Sequence, residues 1–553
     1  MTASKFILPV TVKGIIDRLS SHNIAAYPVG GCVRDFLMGR VPGDIDIAAE
    51  CTPEELKEAL SVYRCSFEGF GYGSVCVHCG GEKNENCGSG ESVEKSGSGG
   101  SGEKIENGGS GGSGEKNESG GSGESVEKNE SGGSGESVEK SENCGCGESG
   151  EKSESGGSGE KNENGGSGAN GESSENSENL SEKIEITCCR REDGYSDGRR
   201  PDKVDYTKSI FDDLARRDFT VNAMAYVPRT GEIIDPFGGA EDIRRGVIRC
   251  VGDPKRRFGE DALRILRAVR FASVLGFSVE DNTARAVHEM KDSLKKLSGA
   301  RAFEELKKLL SGENVLGVLM EYSDVICTLM PELAASVGFD QHNPHHIYTV
   351  YEHTARAVSA CPARGVLRLA MLLHDMAKPY VCTVDSRGIY HFRGHPEEGA
   401  KMAEALLRRL GADRECIKEV SLLIRYHDVR PAATRADIRK YLCATGYPAA
   451  LELLHIRRAD LSAQAPEFRA EGARYIDECE RLILEARAEG APVCVADLAA
   501  NGADAARAGI PEGPAVGEAL ERLLLLVSEE KLQNEHGALT AELRRMAADK
   551  ENL

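Results

Sequence analysis

Two aspartates separated by one residue are the first feature that suggests chemistry. Asp44 and Asp46 lie in the segment GDIDIAA, whose alternation of polar and apolar residues predicts a β-strand with both carboxylates on one face. Carboxylates held this close repel each other unless a cation lies between them, and Mg²⁺ prefers carboxylate and phosphate oxygens as ligands. The spacing therefore predicts a Mg²⁺ site at this pair.

The residues just before the aspartates predict a contact with phosphate. The segment YPVGGCVRD places Gly31 and Arg34 in the first turn of a predicted helix. Glycine lets backbone N–H groups approach a triphosphate, and the arginine adds positive charge. A third carboxylate, Glu185, lies in the later strand KIEITCCR and is a candidate ligand for the same metals. An exposed glutamate without a catalytic role is an equally good interpretation of Glu185.

A second motif predicts how a nucleotide base is selected. In EDALRILRAVR, Asp261 and Arg264 stand three residues apart, so a helix over this segment would place both on one face. Cytosine and adenine each present an exocyclic amine, which a carboxylate accepts from, beside a ring nitrogen, to which a guanidinium donates. Uracil and guanine carry a carbonyl and an N–H at those places. The pair is predicted to select C and A without a nucleic-acid template, and a salt-bridged amphipathic helix is the alternative interpretation.

Several domains must carry these motifs, because 553 residues exceed the usual size of one domain. The formal charge is −21, and the segment 82–182, with 23 Glu, 8 Lys and neither Asp nor Arg, contributes −15 of it. The remainder is near −6, so the total does not exclude a nucleic-acid partner. Repeats such as GGSGESVEK offer almost nothing apolar, which predicts a disordered insertion rather than a stacked solenoid. Without it, GYGSVCVHC and KIEITCCR become adjacent strands, which puts the insertion at a hairpin tip.

Cysteine usage and hydropathy bear on the cellular compartment. The 18 cysteines are scattered through apolar segments of a long chain, which predicts reduced, mostly buried thiols. The spacing of CVHC would suit zinc, but no second CxxC pair accompanies it, so a strand is the favoured interpretation. The sequence has neither a signal-peptide core nor an apolar run of about 18 residues. A cytoplasmic protein without a membrane partner is expected.

Six motifs in a fixed order resemble those of the bacterial CCA-adding enzymes, the class II tRNA nucleotidyltransferases related to bacterial poly(A) polymerases. They are GGCVRD, GDIDIA, YSDGRRPDKV, DLARRDFTVNAMAY, DPFGGAEDIRRGVIR and GEDALRILRAVRFA, and the resemblance covers nearly all of the chain except the insertion. It implies an α+β chain, in which a polymerase-β-like palm with a mixed sheet precedes all-α neck, body and tail regions. It also implies Mg²⁺ as cofactor, CTP and ATP as substrates, and tRNA as partner.

The resemblance implies a role for each matching residue. Asp44 and Asp46 would hold the metals, and Gly31 and Arg34 would contact the incoming triphosphate. Three further arginines would contact the nucleotide: Arg217 near the ribose, and Arg267 and Arg270 at the base and phosphates. For Arg217, a charged cap on the following helix is the alternative interpretation.

Histidines and aspartates in the C-terminal half resemble the metal ligands of HD-domain phosphohydrolases. The motifs YEHTARAV, LLHDMAKP and RRADLSA supply the implied ligands of a divalent metal that activates water, which could be a transition metal: His353, His374, Asp375 and Asp460. HFRGHPEEG and RYHDVRP add His395 and His427 to the same constellation. Some CCA-adding enzymes carry such a domain, so these residues fit the family and also suggest a rival activity.

The expected organisation and function follow from these motifs. The palm is expected over 1–230 with the insertion 82–182, a nucleotide-selecting and RNA-binding helical domain over 231–340, the HD domain over 341–465, and a tRNA-binding tail over 466–553. The favoured function is template-independent CCA addition to tRNA 3′ ends. A-adding, CC-adding or poly(A)-adding activity, HD-site phosphohydrolysis and a catalytically silent RNA-binding protein are the alternatives. The segment REDGYSDGRRPDKVDY resembles a loop of enzymes that add the final A, which favours full CCA addition.

Overall fold

A seven-stranded sheet organises the N-terminal part of the chain in the computed structural model, which describes residues 6–67, 73–78, 183–195 and 201–551. The predicted disordered insertion 82–182 lies outside the described residues. The helices and strands of this part are α1 (Val10–Ser21), β1 (Ala26–Val29), α2 (Gly31–Leu37), β2 (Asp46–Ala49), α3 (Pro53–Ala59), β3 (Cys65–Ser66), β4 (Ser74–His78), β5 (Lys183–Cys188), β6 (Arg190–Asp193), β7 (Lys203–Tyr206), α4 (Ile210–Ala215), β8 (Ala225–Tyr226), β9 (Ile233–Ile234) and α5 (Gly239–Arg245).

The sheet is mixed, with strand order β3-β4-β5-β2-β1-β8-β9. Its only parallel pair among the described strands joins β2 to β5, and the other neighbours run antiparallel. Helices cover both faces of the central strand β2: Ile47 and Ala49 pack into one core, and Ala48 packs on the other face against Leu214 of α4. A strand buried on both faces cannot slip by one residue without burying its polar end, so the register that positions Asp46 is firmly set.

Local signals explain where the flanking helices begin and which faces they bury. In α1, Val12, Ile15, Ile16 and Leu19 recur at helical spacing and are all buried. Helix α3 begins after Thr52, whose hydroxyl accepts from the N–H of Glu55, while the Glu55 carboxylate accepts from the N–H of Thr52. This reciprocal cap satisfies two N–H groups that a helix start otherwise leaves unpaired. The strand β6 pairs with β7 in a separate two-stranded hairpin.

Helices follow the sheet and share one large core with the C-terminal half. The elements of the middle part are β10 (Val247–Ile248), α6 (Pro254–Glu260), α7 (Leu263–Leu275), β11 (Ser278–Val279), α8 (Asp281–Met290), α9 (Gly299–Leu310), α10 (Val315–Glu321) and α11 (Ser323–Leu329). Helix α7 is buried along most of its length, and it packs against α9 within that core. The palm is thus fixed directly to a helical domain rather than joined to it by a free linker.

The remaining helices form a bundle and a small terminal cluster. They are α12 (Val350–Ala360), α13 (Gly365–Leu373), α14 (Lys378–Val381), the two-stranded β12 (Thr383–Val384) and β13 (Tyr390–His391), α15 (His395–Arg409), α16 (Arg414–Tyr426), α17 (Arg435–Ser462), α18 (Pro466–Ala488), α19 (Gly502–Arg507), α20 (Pro514–Ser528) and α21 (His536–Glu551). Helix α17 is kinked at Gly446, whose φ of +74° is not helical, two residues before Pro448. The last three helices have their own apolar cluster, centred on Leu523, Leu539 and Leu543.

The described cysteines and helices bear on the predicted thiols and on the absence of a membrane span. The 14 described cysteines are all free thiols, as predicted. No described helix is long and apolar enough to span a bilayer.

The insertion joins two strands that are already paired at its ends, and this pairing generates a prediction. His78 of β4 lies opposite Lys183 of β5. Deletion of residues 82–182 leaves Cys79-Gly80-Gly81 between them, a three-residue hairpin loop rich in glycine. Because the deletion shortens a loop and removes no described strand, we expect the free energy of unfolding to stay the same or to rise by up to about 3 kcal/mol.

Urea unfolding followed by circular dichroism measures this change. A matched deletion of residues 82–188 also removes β5, the strand between β4 and β2, and should unfold the sheet. If the shorter deletion destabilises the protein as strongly as the longer one, the insertion contributes to the fold and the hairpin-tip prediction is wrong.

Candidate active site

Strand pairing brings the three predicted carboxylates to one edge of the palm. Strand β2 begins at Asp46, and Asp44 lies just before it; both side chains are exposed, and Ile45 between them is buried. The alternation predicted for this segment is therefore present. The parallel pairing of β2 with β5 sets Ile47 opposite Ile186, and the residues one position earlier are Asp46 and Glu185.

The electrostatics of this edge favour a cation. Partial burial and the charge of Glu185 raise the pKa of Asp46, Arg217 opposes them, and Asp44 raises it further. The ionised form of Asp46 is thus less stable than that of a free aspartate, and a bound cation would stabilise it. The ligand atoms of the three carboxylates do not all lie within 4.8 Å of one another, as judged over the described residues. The arrangement is an open carboxylate edge, which suits a metal shared with a phosphate ligand.

The predicted phosphate-binding residues lie at the start of α2. Arg34 donates from Nη1 to Oδ1 of Asn222 at 2.8 Å, which links α2 to the short turn that follows the RRDFT motif. Arg217 pairs with Asp213 at 3.1 Å and reaches Gly30 so closely that an added Cβ there would lie 2.7 Å from Nη1. Gly30 also has φ of +75°, a conformation that favours glycine. The absence of a side chain at Gly30 thus lets Arg217 approach the backbone there.

Three arginines from two domains converge on one aromatic ring. The guanidinium carbons of Arg34, Arg267 and Arg270 lie 5.5, 5.4 and 3.9 Å from the ring centroid of Phe271. Burial lowers the pKa of Arg270, Glu305 at 2.6 Å opposes this, and Arg267 and Arg34 lower it further. The concentration of positive charge matches what a triphosphate requires, and the palm and the helix α7 both supply it.

Asp218 connects helix α2, which supplies Arg34, to helix α7, which supplies Arg267 and Arg270. Its buried carboxylate accepts from Nε of Arg267 at 2.7 Å, from the backbone N–H of Phe219 at 2.8 Å and from Asn222 at 3.3 Å. Burial disfavours its charge, but Arg267 and the N–H of Phe219 more than offset this and hold the pKa of Asp218 at about 2. Asp218 therefore positions Arg267 directly and Arg34 through Asn222.

The helical placement predicted for the base-selecting pair is wrong. Asp261 ends α6 with an extended backbone (φ −146°, ψ 110°), and α7 begins only at Leu263. The cause is local: the Asp261 carboxylate accepts from the N–H of Leu263 at 3.0 Å, which competes with a continuous helix. Asp261 also pairs with Arg301 at 2.8 Å, and Arg264 pairs with Glu260 at 2.5 Å. The two groups are thus both engaged with other partners.

Several residues of this site were missed by reasoning from the sequence. Asp218 and Asn222 stand four apart in RRDFTVN, a spacing that could have signalled a shared face. Phe271 stands four residues after Arg267, so an aromatic ring in an arginine stripe was visible. Glu305 gave no signal, because its partner Arg270 is 35 positions away in the chain.

A second site lies in the C-terminal bundle, where the four predicted HD ligands come together. Nε2 of His353 lies 2.8 Å from Oδ1 of Asp460, and Nε2 of His374 lies 3.1 Å from Oδ2 of Asp375. The ligand atoms of His353, His374 and Asp375 all lie within 4.8 Å of one another, and the three residues are buried. Imidazole and carboxylate groups in this arrangement suit a divalent metal.

Asp375 belongs to a second group of ligand atoms as well. Its other oxygen, Oδ1, lies 3.4 Å from Nε2 of His395 and 3.7 Å from Nε2 of His427, and these three residues also lie within 4.8 Å of one another. Both histidines were noted in the sequence constellation but not assigned as ligands. Backbone carbonyls accept from Nδ1 of His374, His395 and His427, which leaves Nε2 to face the cluster.

Charge in this cluster is balanced within the protein. Burial opposes protonation of His374, but Asp375 and Asp460 outweigh it and raise its pKa to about 9. Burial likewise opposes ionisation of Asp375, but His374 and Lys378, whose Nζ lies 2.7 Å away, hold the pKa of Asp375 well below its usual range. Lys378 and His374 thus compensate the negative charge of Asp375, and a bound metal cation could compensate it instead.

Three family models match the chain in succession. Residues 26–87 and 163–249 match the poly A polymerase head domain, residues 276–336 match the probable RNA and SrmB-binding site of polymerase A, and residues 345–482 match the HD domain. The predicted fold class, a mixed-sheet palm followed by helices with an HD domain, is confirmed.

The chain is similar to curated relatives over part of its length. It is 49% identical over 128 residues to the CCA-adding enzyme of Lactobacillus helveticus, covering 23% of this chain and 32% of the relative. It is 31% identical over 300 residues to the CCA-adding enzyme of Lactobacillus delbrueckii subsp. bulgaricus, covering 54% of this chain and 50% of the relative. The chain thus spans between a third and a half of the length of these relatives.

Solved structures agree on the fold. The Bacillus stearothermophilus CCA-adding enzyme in complex with CTP superposes with a TM-score of 0.60 at 23% identity, covering 98% of each chain. A CCA-adding enzyme in complex with ATP superposes with a TM-score of 0.50 at 18% identity, covering 99% of this chain and 95% of that one. At such identities the agreement shows the architecture alone.

The role of Asp218 generates a prediction with a definite pH dependence. Because its pKa is depressed from 3.8 to about 2, Asp218 contributes stability above pH 4 that is lost as the pH falls from about 4 towards 2. Asp218→Asn should lower the free energy of unfolding by about 2 kcal/mol at pH 7, and the difference from wild type should shrink at pH 3.

Urea unfolding at pH 7, 4 and 3 measures this difference. Asp205→Asn is the matched control, because Asp205 pairs with Lys203 on an exposed strand and should change stability little at any pH. A destabilisation by Asp218→Asn that stays constant down to pH 3 would contradict the ion-pair account.

Proposed function

We propose that this chain, which belongs to the poly(A) polymerase head-domain family with an HD domain, adds C, C and A to the 3′ end of tRNA from CTP and ATP. The observation that carries the proposal is the meeting of a group of carboxylates with a group of arginines. The carboxylate edge of Asp44, Asp46 and Glu185 suits metal ions and feels the charge of Arg217, and further arginines gather around Phe271. A nucleoside triphosphate and its Mg²⁺ would neutralise both.

The carboxylate edge has one role in this reaction. Asp44 and Asp46 would hold Mg²⁺, with Glu185 as a further ligand from the neighbouring strand. Bound Mg²⁺ lowers the charge on the triphosphate and favours ionisation of the attacking 3′-hydroxyl. The carboxylates orient that ion relative to the sheet, and the register of β2 against β5 keeps two of them side by side.

The arginines have a complementary role. Arg34, Arg267 and Arg270 would contact the triphosphate oxygens, and Arg217, beside Gly30 and Gly31, would contact the nucleotide near its ribose. Asp218 keeps Arg267 extended towards the palm, so the positive groups are held in place before the nucleotide arrives. Such preorganised charge stabilises the charge that develops during nucleotidyl transfer.

Base selection rests on Asp261 and Arg264 in this proposal. The carboxylate would accept from the exocyclic amine of C or A, and the guanidinium would donate to the adjacent ring nitrogen. Both groups must first leave their present partners, Arg301 and Glu260. Addition of A alone, addition of CC alone and poly(A) addition use the same groups, and product sequencing distinguishes them.

A second activity is favoured by the buried cluster in the HD domain. We propose that His353, His374, Asp375 and Asp460 hold a divalent metal, and that His395 and His427 extend the site across Asp375. The metal would supply an activated water for hydrolysis of a phosphate ester. Lys378 and two exposed arginines, Arg393 and Arg430, line the cavity of about 320 Å³ at this cluster and would attract phosphate.

The carboxylate edge leads to the first functional prediction. Asp46→Ala should abolish nucleotide addition to a tRNA that lacks its 3′ end, with CTP or ATP and Mg²⁺ supplied separately and together and the products sequenced. The binding of tRNA should change less than two-fold, because the carboxylates hold metal and triphosphate rather than the RNA body. Asp44→Ala should behave in the same way.

Glu58→Ala is the matched control, since Glu58 is an exposed carboxylate on α3 of the same domain. Near wild-type addition by either aspartate variant would exclude this pair as the metal site.

The HD cluster leads to a prediction that separates the two sites. A double variant, His374→Ala with Asp375→Ala, should lose metal-dependent release of phosphate from p-nitrophenyl phosphate while it keeps CTP and ATP incorporation, because the palm has its own carboxylates. Circular dichroism establishes whether the variant is folded. Loss of incorporation in a folded double variant would show that the two sites are not independent.

A further inference from the structure

A second cavity adjoins the HD cluster and has no role in the functions proposed so far. It has a volume of about 430 Å³, and the side chains of Arg457, Leu461, Phe468, Tyr475 and Ile476 line it. It shares six lining residues with the cavity at the metal-ligand cluster: His345, His427, Asp428, Arg430, Asp460 and Gln464. The two cavities are therefore neighbours with a common wall, and a single ligand could occupy both.

Arg457 is the unusual residue of this cavity. It is only 7% exposed, its Nε and Nη2 are buried without a well-aligned hydrogen bond in the described part of the chain, and the groups that approach it are the neutral hydroxyls of Tyr441 and Tyr475. Its guanidinium lies 5.4 Å from the ring centroid of Tyr441. A buried arginine normally pairs with a carboxylate, because the charge is otherwise costly to remove from water.

The carboxylates near Arg457 do not compensate it. Asp460 lies three residues further along α17 on the same face, but its oxygens are 2.8 Å from Nε2 of His353 and 2.6 Å from Nε2 of Gln464. Asp428 and Glu471 line the cavity and are exposed, and neither pairs with Arg457 among the described residues. The adjacent Arg458, in contrast, pairs with Asp477 and Glu480 on the surface.

We propose that this cavity binds a second oxyanionic group of the phosphate ester whose reacting phosphate lies at the HD cluster, and that Arg457 neutralises it. The ligand chemistry is that of a phosphate or a carboxylate, because a neutral group would leave the buried charge uncompensated. Arg430 lines both cavities and would add positive charge for either anionic group of such a substrate. The substrate class is thus a phosphate ester that carries another anionic group, and the inference rests on the phosphohydrolase activity proposed for this domain.

Anion binding tests the cavity independently of hydrolysis. The full-length protein, stripped of metal with EDTA, is titrated with inorganic phosphate and separately with acetate by calorimetry. We expect Arg457→Met to lack one binding site that wild type and the control variant Arg458→Met both possess. Loss of the site for phosphate alone identifies a second phosphate as the natural group, and loss for both anions includes a carboxylate. An unchanged number of sites in Arg457→Met overturns the proposal.

Stability distinguishes a ligand contact from a structural role. In anion-free buffer, Arg457→Met should unfold at the same temperature as wild type or higher, because it removes a buried unpaired charge. Added phosphate should raise the unfolding temperature of wild type more than that of the variant. If the variant is less stable in anion-free buffer and responds to phosphate as wild type does, Arg457 serves packing and the inference is wrong.

Kinetics test the substrate class. With divalent metal restored, phosphate release from adenosine 3′-monophosphate is compared with release from adenosine 3′,5′-bisphosphate. Arg457→Met should raise the KM for the bisphosphate at least ten-fold, with kcat within two-fold, and leave the monophosphate constants unchanged. An unaffected bisphosphate KM overturns the substrate assignment. If wild type hydrolyses neither compound, the proposed phosphohydrolase activity fails, while the calorimetric loss would still establish the anion site.

Discussion

The buried ion pair between Asp218 and Arg267 is the interaction on which the palm site depends. Asp218 is held ionised, with its pKa at about 2, although its carboxylate is almost wholly buried. It connects the turn after RRDFT to helix α7, and through Asn222 it also reaches Arg34. Without this fixed negative charge, Arg267 would lose its partner and repel the other arginines around Phe271, and the palm would lose a buried ion pair to helix α7.

The two candidate sites differ in how far the protein itself compensates the charge of their carboxylates. In the palm, burial first and then the charges of Glu185 and Asp44 raise the pKa of Asp46, and Arg217 offsets only part of this. In the HD domain, His374 and Lys378 hold the pKa of the buried Asp375 well below its usual range. The difference follows from burial: an exposed carboxylate edge tolerates repulsion because water screens it, whereas a buried carboxylate requires a partner at all times. In the proposed functions, metal ions at the exposed palm edge would exchange readily with solvent, and a metal at the HD cluster would be held among buried ligands.

Reasoning from the sequence succeeded where the relevant contacts are local or follow a strand period. The alternation around Asp46 and the pairing of the strands on either side of the insertion both follow from a period of two and from turn chemistry. It failed at Asp261, where the side chain's own bond to the N–H of Leu263 competes with the helix that the spacing favours. It could not predict the role of Glu305 or the cavity at Arg457, because their partners and neighbours come from helices that are distant in the sequence. A periodic pattern of residues does not show which charged side chains are left without a partner in the fold.

Asp261 and Arg264 would have to break their present ion pairs, with Arg301 and Glu260, before they could bind a base. The Asp261–Arg301 pair is partly exposed, so breaking it costs about 1 kcal/mol or less, whereas the more buried Arg264–Glu260 pair costs more. A base that offers an amine and a ring nitrogen would replace both with charge-assisted hydrogen bonds of about 1.5–3 kcal/mol each. A base with the opposite pattern would leave the two side chains unpaired, and they would return to Arg301 and Glu260. In the proposed function, the internal ion pairs would compete with every base, and selection would be the difference between two sets of bonds that the same side chains can make.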